Sequence, residues 1–172
     1  MKKALAFLPR LLLYISFSFL FLRCSDDDTP TTPADLIIGN WGMTADNWSP
    51  AYDEFGTGQL ITDAFALYEA CEKDNIYIFK ASNIGELNEG TLKCDATDPQ
   101  TIPFSYLLKT NNTQLNISIT EQGITIGIDF DILQLDATKL KLKTSTVENG
   151  VRCTSTQTFV RKLLKYKMHA DR

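Results

Sequence analysis

The sequence predicts an all-β protein: an antiparallel up-and-down β-barrel of about eight strands, with one short helix or lid segment. Three observations carry this. From Asn75 onward apolar and polar residues alternate with a period of two, as they do in strands with one buried face. The alternating runs are short, about eight in number, and bounded by turn formers, as in antiparallel sandwiches and barrels. Gly39-Asn40-Trp41 opens the domain, the glycine allowing close backbone approach and the Trp suiting a core position at a strand start.

The strands follow in order. Leu115, Ile117 and Ile119 alternate with Asn116 and Ser118. Ile124, Ile126, Ile128, Phe130 and Ile132 alternate with Thr125, Gly127, Asp129 and Asp131, and Leu140 and Leu142 alternate with lysines. Asn111-Asn112, Gln122-Gly123, Asp136-Ala137-Thr138 and Glu148-Asn149-Gly150 separate the runs. Leu60–Ala70 is poor in β-branched residues and reads as partly helical, suiting the short helix or lid.

The chain of 172 residues is long enough for one domain with a real core. Four segments are expected: a signal peptide at 1–23, a tether at 24–33, the barrel domain at 34–162, and a basic tail at 163–172. Lys2, Lys3 and Arg10 form a positive n-region ahead of the apolar run Leu11–Leu22. A run of that length suits a signal peptide and is short for a bilayer span, which needs about 20 residues. Cys24 follows, then Ser25-Asp26-Asp27-Asp28 and Thr29-Pro-Thr-Thr-Pro33. The junction resembles a lipoprotein signal, which implies lipidation of Cys24. Arg23 stands where such signals usually carry a small residue, a departure that bears on cleavage efficiency. The acidic stretch resembles the tether of surface-exposed Bacteroidetes lipoproteins. The implied location is the outer membrane, lipid-anchored at the cell surface, with a monomeric domain.

Lys2, Lys3, Arg10 and Arg23 are 4 of the 17 basic residues, so the remaining 13 face 21 acidic ones and the chain from Cys24 onward carries about −8. Phosphate backbones repel such a protein, so no nucleic-acid partner is expected.

"CEKDNIYIF" at Cys71–Phe79, Glu89-Gly90, Cys94-Asp95 and "FSYLL" at Phe104–Leu108 resemble the lipocalin-like domain of Bacteroidetes lipoproteins. In lipocalin-like proteins a Gly-x-Trp leads into the first strand, and its Trp closes the narrow end of the barrel. The resemblance covers roughly Leu36–Arg161 and implies a calycin-type barrel without a common ligand. It also supports a Cys71–Cys94 disulfide, which outside the inner membrane would persist and stabilise the fold by roughly 3 kcal/mol on chain-entropy grounds. Cys153 reads as a buried thiol behaving as a small hydrophobe.

No catalytic constellation is legible, and no enzyme activity or cofactor is expected. His169, the one histidine, lies in the basic tail, so nucleophile schemes lack their base. Asp129 and Asp131 share a polar strand face and read as solvated, as do Glu86 and Glu89 in a hairpin. Asp95 and Asp98 lack EF-hand spacing, there is no Cys-x-x-Cys, and no metal site is expected. Gly56 and Gly58 lack the Lys and helix of a phosphate loop.

A cavity is the remaining route to function, because a small barrel either fills itself with side chains or holds one ligand. Trp48–Phe55 (WSPAYDEF), with Tyr68, reads as an irregular aromatic lid or rim, and Tyr77 as an inward residue. Trp48, Tyr52, Phe55, Tyr68 and Tyr77 are therefore the expected contacts for a small hydrophobic ligand. The alternative is a structural or interaction module with a filled barrel contacting a protein or glycan. A connected apolar cavity above about 300 Å³ under Trp48–Phe55 would separate the two.

Overall fold

The computed structural model describes residues 32–53, 56–148 and 150–163. Cys24, Phe55 and His169 lie outside them. Helix α1 (Pro33–Ile37) precedes β1 (Gly39–Tyr52), which is followed by β2 (Ile61–Asp63), a 3-10 turn at Ala64–Leu67, and α2 (Ala70–Lys73). Then come β3 (Ile76–Phe79), β4 (Ile84–Asn88), β5 (Thr101–Lys109), β6 (Gln114–Glu121), β7 (Ile124–Leu135), β8 (Lys139–Glu148) and β9 (Val151–Arg161). All neighbours pair antiparallel, and β1 pairs with β9 to close the barrel. Eight staves result, because β2 and β3 share one edge of β1: β3 pairs along Gly39–Gly42 and β2 higher up, at Asn47 and Tyr52. The up-and-down order is compatible with a calycin-like fold.

Leu60–Ala70 is partly helical: Ile61–Asp63 forms β2 against β1 before the chain enters the 3-10 turn. Asp63 starts that turn by accepting from the Ala66 N–H at 3.2 Å. One expectation needs correction: Trp48–Tyr52 is not an irregular lid. It is the end of β1, held by β9 through Trp48–Ser155 and Ser49–Thr154 pairing.

The lower end is plugged. Thr32 caps α1 through a reciprocal pair with Asp35, and Pro33 stands in the first turn, where a missing N–H has no consequence. Thr32 and Pro33 thus serve α1, the one as its cap and the other as its first residue. The short helix places Ile37 and Trp41 in the barrel end, both fully buried, with Trp41 Nε1 donating to the Ile37 carbonyl at 2.8 Å. The Arg161 guanidinium lies 4.4 Å from the Trp41 ring centroid and donates to the carbonyls of Leu36, Ile38 and Ala137 at 2.5, 2.8 and 2.7 Å. Gly39 has φ +141°, and a Cβ there would fall on the Arg161 guanidinium, so this approach requires glycine.

Above the plug, Phe79 packs edge-on against Phe104 and Tyr106, with ring centroids 5.3 and 5.0 Å apart. Leu115, Phe130, Leu140, Leu142 and Phe159 complete the buried cluster. Cys71 and Cys94 form the disulfide, with Cα atoms 5.3 Å apart. It ties α2 to the long β4–β5 connection on the side where β3 and β4 are short.

Candidate binding cavity

The upper half of the barrel is hollow. A cavity of about 630 Å³ lies above the core. Its floor is Phe79, Phe130, Leu140, Leu142 and Phe159, its far wall is Ile117, Ile119, Ile124, Ile126 and Ile128, and Tyr77, Gln122 and Gln157 supply its polar atoms. The large inward residues therefore do not fill the interior.

The hollow follows from strand pairing. β7 pairs with β8 only from Leu135–Leu140 to Asp131–Lys143. Beyond that point the backbone ladder joins Ile124–Phe130 of β7 to β6 alone and Thr144–Glu148 of β8 to β9 alone, the Thr144 hydroxyl still donating to the Asp129 carbonyl at 3.2 Å. The two hairpins part, and the cavity opens there. Ile124 and Ile126 keep the inward parity of Phe130 yet are 67% and 66% exposed. Fully burying an isoleucine is worth about 1.5–3 kcal/mol, so this face forgoes part of that stabilisation until something covers it. The outer face of the same hairpin is polar and satisfied. Asp129 accepts from Lys109 Nζ at 2.8 Å and from Asn116 Nδ2 at 2.6 Å, and Asp131 lies 3.4 Å from Lys143.

The opposite wall carries a buried carboxylate. A bulge between Met43 and Ala45 shifts the register of β1 against β9, so the inward parity passes from Trp41 and Met43 to Asp46 and Trp48. Asp46 is 2% exposed. It accepts from Ser155 Oγ at 2.6 Å, Tyr68 Oη at 2.9 Å and Gln157 Nε2 at 3.5 Å. The Tyr68 hydroxyl is pushed well above the usual tyrosine range, first by burial and then by its hydrogen bond to Asp46. Burial, followed by the fields of Asp46 and Glu72, raises Tyr77 as well.

The five expected ligand contacts are thus divided. Tyr77 lines the main cavity. Trp48 and Tyr52 line a separate hollow of about 140 Å³, with Thr144, Thr146, Cys153 and Ser155. Cys153 is a free, half-buried thiol there. Tyr68 is held to Asp46 and packs edge-on against Phe65, and Phe55 lies outside the described residues. The cavity accordingly opens at the parted β7–β8 edge and not beneath Trp48–Tyr52, because β1 stays paired to its end. Asp46 and Gln157 were missed. The isoleucine alternation marked the inward wall, but no local signal marks an inward aspartate after a bulge.

No family model matches this chain, and no curated protein matches it in sequence.

Proposed function

We propose that the protein is a surface-exposed lipoprotein of the Bacteroidetes lipocalin-like kind, anchored by lipid on Cys24, whose barrel binds a small hydrophobic molecule without catalysing its conversion. The observation that carries the binding role is the open cavity of about 630 Å³ with its wall of uncovered isoleucines. It falls in the range of ligand pockets, which run from about 300 to 1,000 Å³ with mostly apolar linings and few polar groups. The same hollow disfavours a filled-barrel interaction module. The export and anchoring part rests on the n-region, the apolar run and Cys24.

Titration with N-phenyl-1-naphthylamine, an uncharged probe that fluoresces in apolar surroundings, tests the binding role. Saturable enhancement at one site per chain is expected, with native mass spectrometry of protein from its own host showing a co-purifying apolar mass. Absence of saturable probe binding and of any such mass would remove the binding role. Intact mass of the same sample reads the acyl groups on Cys24.

A further inference from the structure

The cavity has two chemically different sides. In the barrel order β6 and β7 lie across from β1, so the isoleucine wall faces the wall that holds Asp46, Tyr77 and Gln157. Among the described residues Asp46 has no ion-pair partner. Its three partners are neutral donors: a serine hydroxyl, a phenol and an amide. An ionised carboxylate can only accept hydrogen bonds, so it fixes the Gln157 amide with its NH2 towards Asp46. The Gln157 carbonyl oxygen then remains as an acceptor at the cavity surface. Tyr77, a phenol protonated at neutral pH in any case and raised further by burial and the negative field, adds a hydroxyl on the same side. No Lys, Arg or His lines the cavity among the described residues.

We infer that the cavity selects amphiphiles whose head group donates hydrogen bonds and carries no negative charge, the head meeting Gln157 and Tyr77 and the apolar body lying on the β6–β7 isoleucines. The selection has two causes. An anionic head would find one donor in the Tyr77 hydroxyl, but it would also meet the Gln157 acceptor oxygen, with a buried negative charge behind it and no cation to offset either. An alcohol or amine head would supply the missing donor. This inference rests on the cavity being a ligand site, and a carboxylate-tipped chain such as a free fatty acid is the competitor it excludes.

The test is displacement of bound N-phenyl-1-naphthylamine at neutral pH by dodecanol, dodecylamine and dodecanoate, which share one chain length and differ in head group. The alcohol and the amine should each displace the probe at concentrations at least tenfold below that of dodecanoate. A larger margin for the amine would show that the charge of Asp46 dominates. Equal alcohol and amine affinities would show that the Gln157 acceptor does. In Asp46→Asn the dodecanoate penalty should shrink several-fold, because a neutral amide no longer imposes the Gln157 orientation or the charge. Gln157→Leu, which removes the acceptor, should lose the preference for dodecanol over dodecanoate once each displacement is corrected for the variant's own probe affinity, and it serves also if Asp46→Asn fails to fold. Dodecanoate binding as well as dodecanol overturns the inference and leaves the hydrophobic-ligand role intact, as does failure of all three to displace a probe that itself binds. Failure of the probe to bind, with no co-purifying apolar mass, removes the role on which the inference rests.

Discussion

Arg161 shows how much one side chain can hold when it reaches several orphan carbonyls. Its guanidinium covers Trp41 and serves Leu36, Ile38 and Ala137, joining α1, the β7–β8 turn and the end of β9. Arg161→Met keeps an apolar stem over the indole and removes all the donors. Each lost charge-assisted bond is worth about 1.5–3 kcal/mol, less where the freed carbonyl reaches water. The variant should therefore lose about 2–4 kcal/mol in urea unfolding, and a loss under about 0.5 kcal/mol would mean that the plug stands without it. Trp41 and Gly39 were legible because Gly-x-Trp is contiguous. Arg161 was not, because it stands at the head of a basic tail and its partners come from residues 36–38 and 137. Asp46 was hidden by the bulge after Met43, since strict alternation from Trp41 would point an even-numbered residue at solvent.

At the scale of elements, the β6–β7 hairpin is built to two specifications at once. Its outer face is finished, with Asn116, Ser118, Lys109 and Asp129 bonded to one another or to backbone. Its inner face is unfinished above Phe130. Stability and binding should therefore separate there. Replacing Ile124 and Ile126 together by Thr keeps β-branched side chains in a strand and removes apolar surface that is already exposed in the free protein. The double variant should unfold within about 1 kcal/mol of wild type while its affinity for N-phenyl-1-naphthylamine falls at least tenfold. A large stability loss with unchanged probe affinity would mean that these isoleucines pack within the protein instead of serving a ligand. The strands themselves were legible because β5 to β9 alternate cleanly and their turns carry Asn, Asp and Gly. The parting of β7 from β8 was not, because pairing beyond Asp131–Lys143 depends on how the staves tilt, which leaves no mark in either strand alone. Aromatic richness pointed to Trp48–Phe55 as the rim for a similar reason: composition says what could contact a ligand but not which edge of the sheet opens.

For the whole molecule, the carboxylates that hold the turns set the response to acid. The Thr138 N–H and hydroxyl, the Gln134 amide and the Lys139 N–H hold Asp136 far below the usual carboxylate range. The N–H groups of Thr91 and Leu92 and the Thr91 hydroxyl likewise lower Asp74. A pKa depressed on folding gives stability that is complete above the unfolded value near 4 and is lost as pH falls through the folded one. Tm should thus be flat near neutrality and fall below about pH 4, and Asp136→Ala, already less stable at neutral pH, should show a shallower fall; an identical acid slope in both would remove Asp136 from the account. Polarity of the molecule yields the last prediction. Thr32 enters at the plugged end, beside α1, Trp41 and Arg161, and the cavity opens at the opposite end, by the β6–β7 turn. With lipid on Cys24 as proposed, the eight residues to Thr32 reach at most about 30 Å. The twelve residues of β7 run about 40 Å along the strand, which at a barrel tilt near 40° is about 30 Å of height. To bring the mouth to the bilayer the tether would have to lie fully stretched along the barrel wall. The mouth should instead face away from the membrane and take its ligand from the aqueous side. Lipidated full-length protein in vesicles tests this, with a fluorophore at Ala137→Cys on the plugged end or at Thr125→Cys by the mouth, each in a Cys153→Ser background. Nitroxide-bearing lipids should quench the label at position 137 and spare the one at 125, whereas stronger quenching at 125 would put the mouth on the membrane and make the bilayer the source of the ligand.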